Sequence, residues 1–74
     1  MVDPDQIKGW IEGGLPCEHV EVRGDGHHFD AVIVSPAFSG KSRVQQHQLV
    51  YEALKGQMGG ALHALALQTG IPNS

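Results

Sequence analysis

The chain has 74 residues, of which 41% are hydrophobic, and carries a formal net charge of −3 from five Lys plus Arg against eight Asp plus Glu. That length allows a single domain over residues 1–74 and a small core, since a domain of this size buries only about 60% of the surface its unfolded chain exposes. The composition argues against disorder and against strong non-specific binding to nucleic acid, which needs many phosphate-neutralising cations.

Asp3-Pro4-Asp5 opens a first helix, with Asp as cap and proline at a position whose missing N–H has no intrahelical partner. Ile7, Trp10 and Ile11 form its apolar stripe, Val2 packs under it, and Gly13-Gly14 ends it. Glu18 to Arg23 alternates, with Val20 and Val22 on one face and His19, Glu21 and Arg23 on the other, the pattern of a half-buried strand. Gly24-Asp25-Gly26 is a hairpin turn, followed at once by His27 and His28. Phe29 to Ser35 is a second strand, apolar on both faces after Asp30 and so expected in the middle of the sheet.

Phe38 to Met58 reads as a tight turn feeding one amphipathic helix on which both halves of the chain pack. Ser42 is its N-cap, and Val44, His47, Val50, Tyr51, Leu54 and Met58 recur at helical spacing on one face. Gly59-Gly60 is its stop. Periodicity does not separate strand from helix over Ala61 to Leu67. Ala and Leu favour helix, but the segment is short, bracketed by glycines and needed to complete a sheet, so a strand is expected there. The tail, residues 70–74, is expected to fray.

The order helix-strand-strand-helix-strand describes an α/β (α+β) domain with a three-stranded mixed sheet and helices packed on it. The first two strands pair antiparallel. The long helix is a crossover, so the third strand lies parallel to the second. Parallel strands start at the same edge, which brings His28 and His63 together. Cys17 precedes the strand that runs the other way, so it lies at the opposite edge and is a poor co-ligand. A single cysteine leaves no intrachain disulfide. No apolar run approaches the ~20 residues that span a bilayer and no basic-then-apolar leader is visible, so the expected compartment is the cytoplasm. Five histidines are the one compositional feature that points to chemistry.

The run Val-Ile-Val-Ser-Pro-Ala-Phe-Ser-Gly-Lys-Ser-Arg-Val-Gln-Gln-His-Gln-Leu-Val-Tyr, then Leu62-His63-Ala64-Leu65, resembles the BolA-like family of small proteins. Gly24-Asp25-Gly26-His27-His28-Phe29 resembles the hairpin of its bacterial branch. The resemblance runs from Ile7 to Thr69. It implies a fold like the type II KH domain and a monothiol glutaredoxin as partner. It further implies a 2Fe–2S cluster shared with that partner and its glutathione, in iron–sulfur trafficking or iron sensing. Carried onto this chain, the implied ligands are His63 and His28, with His27 as substitute. Alone, the protein would bind no cofactor and be a monomer or weak homodimer. Imidazole is a sound iron ligand and raises the potential of a 2Fe–2S centre; because only the neutral ring coordinates, binding is proton-linked.

Two departures stand out. Gln46 and Gln48 flank the helix histidine where the family often has Arg, which weakens a phosphate-binding role for this helix. The chain also stops at Pro72-Asn73-Ser74, where members often continue into another helix. His47, on the apolar stripe, reads as structural, and His19 as solvent-facing. Lys41, Arg43 and Lys55 make a weak patch without the Gly-x-x-Gly loop of KH-type RNA binding, so a nucleic-acid-binding regulator with weak DNA binding is the alternative function. No nucleophile–base pair is readable, so no enzyme is expected.

Overall fold

The computed structural model describes residues 2–72. Its elements are α1 (Pro4–Gly14), β1 (His19–Gly24), β2 (Phe29–Val34), a 3-10 turn (Pro36–Phe38), α2 (Arg43–Ala53), a 3-10 segment (Gly59–Ala64) and β3 (Leu65–Gly70). β1 and β2 pair antiparallel from His19 opposite Val34 to Gly24 opposite Phe29. β2 and β3 pair parallel from Phe29 opposite Leu65 to Val34 opposite Gly70. The sheet order is β1-β2-β3, which puts the strand that is apolar on both faces in the centre, as expected. The tail differs from expectation: Gly70 is a paired residue of β3, and its carbonyl accepts the Ser35 N–H at 3.1 Å. The end of the expected frayed tail, residues 73–74, lies outside the described residues.

Both helices start on reciprocal capping boxes. The Asp3 carboxylate accepts the Gln6 N–H at 2.9 Å while the Gln6 amide oxygen accepts the Asp3 N–H at 3.0 Å. Ser42 and Gln45 repeat the exchange at 3.2 and 2.9 Å. Ile7 and Ile11 of α1 meet Phe29, Ala31 and Ile33 of β2, with Phe38, Val50, Leu54, Met58 and Leu65 closing the core on one face of the sheet. Ser35, at the end of β2, is fully buried and satisfied. Its hydroxyl donates to the Pro16 carbonyl at 2.6 Å and accepts the Ala37 N–H at 3.1 Å, which ties the start of β1 to the chain leaving β2.

The crossover departs from the sequence expectation in two ways. First, α2 stops at Ala53, short of Gly59, because Gly56 takes a left-handed φ of +75° and turns the chain early. Val50, Leu54 and Met58 still reach the core, but Val44 is 66% exposed and Tyr51 39%. The apolar stripe is thus narrower and set nearer the C-terminal end than its spacing implied. Second, Ala61 to Ala64 is 3-10 helix, and the strand begins only at Leu65. β2 starts at Phe29, opposite Leu65, so no strand partner exists for the four residues before it, and the helix preference of Ala and Leu prevails there. His63 consequently precedes the last strand instead of opening it.

Candidate functional site

The edge of the sheet where β2 and β3 begin carries the candidate histidines. On the β2 side they stand on the hairpin loop. One carboxylate oxygen of Asp25 accepts both the His27 N–H at 2.8 Å and the His28 N–H at 2.9 Å, and the Asp25 N–H donates to the His28 carbonyl at 3.2 Å. The His28 and His27 N–H groups hold the Asp25 carboxyl below its ordinary carboxylate range. The backbone of the two histidines is therefore pinned while both side chains are exposed. Asp25 is a positioning residue missed in the sequence, although an Asp two residues before the segment it caps is a readable signal.

On the β3 side, His63 is exposed on the 3-10 segment, which has no buried residue of its own and no side-chain cap. The parallel register sets Phe29 opposite Leu65. His28 thus lies one residue before its strand and His63 two residues before its own, at the same edge. Continued backward, that register sets His27 level with His63 and His28 level with Ala64. Among the described residues no three or more His, Cys, Asp and Glu side chains gather into a metal site. The edge presents imidazoles from two loops, and the Asp25 carboxylate beside them already accepts the His27 and His28 N–H groups.

The other candidates lie elsewhere. His19 pairs with Val34, at the far end of the strands. Cys17 is also at that end, beside a hollow of about 320 Å³ lined by Pro16, Glu18 and Pro36. Burial, and then the nearby Glu12 carboxylate, push its thiol above the ordinary cysteine value. A raised thiol pKa leaves the thiolate scarce at neutral pH, and the thiolate is the nucleophile. Alkylation of Cys17 by iodoacetamide is therefore expected to be slower in the native chain than in urea at pH 7.5, with the difference narrowing as the pH rises into the alkaline range. Equal rates at neutral pH would show that the thiol is not shielded.

His47 is half-buried on α2, and no hydrogen bond to its ring is found among the described residues. Its neighbour Gln46 has the structural role. The Gln46 amide nitrogen donates to the carbonyls of Lys41 at 3.0 Å and Phe38 at 3.3 Å, and its oxygen accepts the Thr69 hydroxyl. Its partners lie in the turn before α2 and on β3, so no local pattern could have revealed it. A larger concavity of about 490 Å³ opens on α2, between Lys41, Gln48, Tyr51 and Glu52.

A family model described as BolA-like protein matches residues 13–74. The chain belongs to the BolA-like family. BolA-like protein 1 of Mus musculus is 38% identical over 76 residues, covering 89% of this chain and 56% of that protein. The DNA-binding transcriptional regulator BolA of Haemophilus influenzae is 41% identical over 54 residues, covering 73% of this chain and 52% of that protein. The structure of a BolA homologue from Coxiella burnetii superposes with a TM-score of 0.85 at 46% identity, over 97% of this chain and 94% of that one. The chain spans about half the length of the mammalian BolA-like proteins it matches. Its α+β fold with a three-stranded mixed sheet is the BolA fold. No helix among the described residues is long and apolar enough to cross a membrane.

Proposed function

We propose that this BolA-like chain is a cytoplasmic interaction module that docks a monothiol glutaredoxin and co-ligates a 2Fe–2S cluster through His63 and a hairpin-loop histidine. The observation that carries the reading is the parallel register of β2 and β3, which starts both histidine-bearing loops from one edge. The donor chemistry fits a shared group. Neutral imidazoles are good ligands for iron, both side chains are exposed, and among the described residues no three metal-ligating side chains gather there. A partner thiolate would complete the set. The cluster would supply electron-transfer and iron–sulfur exchange chemistry; this chain's part is to present imidazoles on a pinned loop. A catalytic role has no support in the residues present.

Reconstitution tests it. The full chain is mixed anaerobically with a monothiol glutaredoxin, glutathione, iron and sulfide, and visible absorption and circular dichroism are compared with the glutaredoxin alone. Losing even an outer partner of a metal ligand costs about 10–100-fold in affinity, so His63→Ala is expected to cost at least that and to return the spectrum to that of the glutaredoxin alone. His28→Ala and His27→Ala then assign the loop ligand. A hetero-complex whose cluster spectrum and lifetime survive His63→Ala would sink the proposal and leave a protein–protein adaptor.

The second reading, a DNA-binding regulator, is favoured by the name of the Haemophilus relative and by Lys41, Arg43 and Lys55 near α2. The net charge of −3 opposes it. Binding to duplex DNA that weakens steeply with salt and vanishes on charge reversal of Lys41 and Arg43 would establish it.

A further inference from the structure

Among the described residues, the large hydrophobic side chains left exposed are Val44, Tyr51 and Ile71. All of them lie on one rim of the domain. α1 packs on β1 and on α2, and α2 packs on β3. Ala53 marks the flank of α2 that faces α1, since a Cβ on Gly14 would come within 2.7 Å of the Ala53 Cβ. At about 3.6 residues per turn, Val44 and Tyr51 stand about 160–180° around the helix axis from Ala53. They therefore occupy the flank that overlooks the free edge of β3, and Ile71 follows β3 directly. The apolar stripe on this flank has no cover within the chain.

The strand beneath is equally unpartnered. β3 is an outer strand. Its ladder to β2 runs without a bulge from Leu65 to Gly70, and it contains no proline and no charge. Outer strands are ordinarily guarded by such features; β1, the other outer strand, carries Glu21 and Arg23. Helix and strand are also aligned with each other. Gln46 bonds Thr69, and His47 lines a cleft with Leu67 and Thr69, so the middle of α2 is level with Gln68. A two-fold axis perpendicular to the sheet beside Gln68 would pair β3 antiparallel with a second β3. The same axis passes level with the point between His47 and Gln48. Val44 then meets the copy's Tyr51, and Leu65 comes opposite the copy's Ile71. Arg43 stands level with the copy's Glu52 and Lys55 with its Gly40, so no like charges are opposed. A lone extended peptide would pair with the strand but bring no helix to cover Val44 and Tyr51; a second copy brings both.

We propose that the rim formed by β3 and the outer flank of α2 is a self-association surface, on which a second copy of this chain pairs β3 with β3 and packs α2 against α2 across a two-fold axis. The sheet becomes continuous across both chains, with all helices on one face. The inference goes beyond the glutaredoxin reading and does not need it, since His28 and His63 lie outside the paired segment, residues 65–71.

The test is sedimentation equilibrium of the full chain from about 10 µM to about 1 mM, a range that captures weak dimers, together with filtered NOE spectra on a mixture of labelled and unlabelled chain. A reversible dimer is expected, with intermolecular NOEs between Val44 and Tyr51 and concentration-dependent shifts of the amides of residues 66–70. Val44→Glu, an exposed change, should raise the dissociation constant at least about tenfold, since it removes two apolar contacts per dimer. Its thermal midpoint in dilute solution should match the parent's. Adding Tyr51→Arg to that variant should restore association, because opposite charges then stand level across the axis, and Arg23→Gln on β1 should change nothing. A chain that stays monomeric at the top of the range, a dimer whose intermolecular contacts lie on β1 or at the histidine edge, or a dimer indifferent to Val44→Glu would overturn the surface. Rim shifts that appear on adding a monothiol glutaredoxin but not with the chain's own concentration would also overturn it, and would mark the rim as the surface for a different protein.

Discussion

Phe38→Ala is expected to leave the chain largely unfolded at ambient temperature or with a thermal midpoint lowered by more than about 12 °C. Phe38 is fully buried at the end of the 3-10 turn that links β2 to α2. Truncating a buried Phe costs about 3–5 kcal/mol in lost transfer energy and residual cavity. Total stability of a small domain starts near 5 kcal/mol, and each kcal/mol moves the midpoint of a 60–100-residue domain by about 4–8 °C. The backbone at this point is also committed: the Phe38 carbonyl accepts the Lys41 N–H at 3.1 Å and the Gln46 amide at 3.3 Å, so the turn has little freedom to collapse into the space left. Thermal and urea unfolding followed by circular dichroism measure the loss. A change of only a few degrees would mean that the turn does refold around the smaller side chain and that the crossover is less rigid than its hydrogen bonds imply.

Gly24→Ala is the second large effect, and it links stability to the histidine edge. Gly24 is the last residue of β1, paired with Phe29. A Cβ placed on it would come within 2.7 Å of the His28 carbonyl oxygen and would also overlap the ring of Phe29. That ring is core, 2% exposed, so neither neighbour yields freely. Overpacking of this kind costs roughly 1–3 kcal/mol. The urea midpoint is expected to fall with the slope unchanged, and the His27 and His28 amide resonances are expected to shift, because relief of the overlap displaces the same loop that Asp25 pins. In the glutaredoxin reconstitution, Gly24→Ala should impair cluster uptake more than Glu21→Ala, an exposed change on the same strand. A variant as stable as the parent, with its loop resonances in place, would show that the hairpin end has room the structure does not suggest.

Where sequence and structure agree, the signal was local or strongly periodic. Asp3 before Pro4 and Ser42 before Arg43 both cap helices, because a short side-chain oxygen satisfies free N–H groups within its own turn. Val20 and Val22 alternate with charged neighbours, and β1 follows them. Where they disagree, the deciding interaction is distant. Tyr51 and Val44 share the helical spacing of Val50 and Leu54, yet they are exposed, because a period says which residues share a face and not how much of that face meets the sheet. Ala61 to Ala64 had the composition of a buried segment of either kind. It is 3-10 helix because β2 begins too late to pair with it.

The candidate site divides in the same way. That His28 and His63 share one edge followed from element order alone, since parallel strands linked by a crossover start on the same side. What the sequence by itself determined about this protein is therefore its element order, its helix starts, the central position of β2 and its membership of the BolA-like family. Only the tertiary structure decided the register of Phe29 against Leu65, the two hydrogen bonds that the loop histidines' N–H groups donate to Asp25 and the Gln46 bridge to Thr69. The physical reason is range: capping and alternation act within about one turn or one residue pair, whereas register, bridging and concavity arise where packing brings together residues remote in the chain.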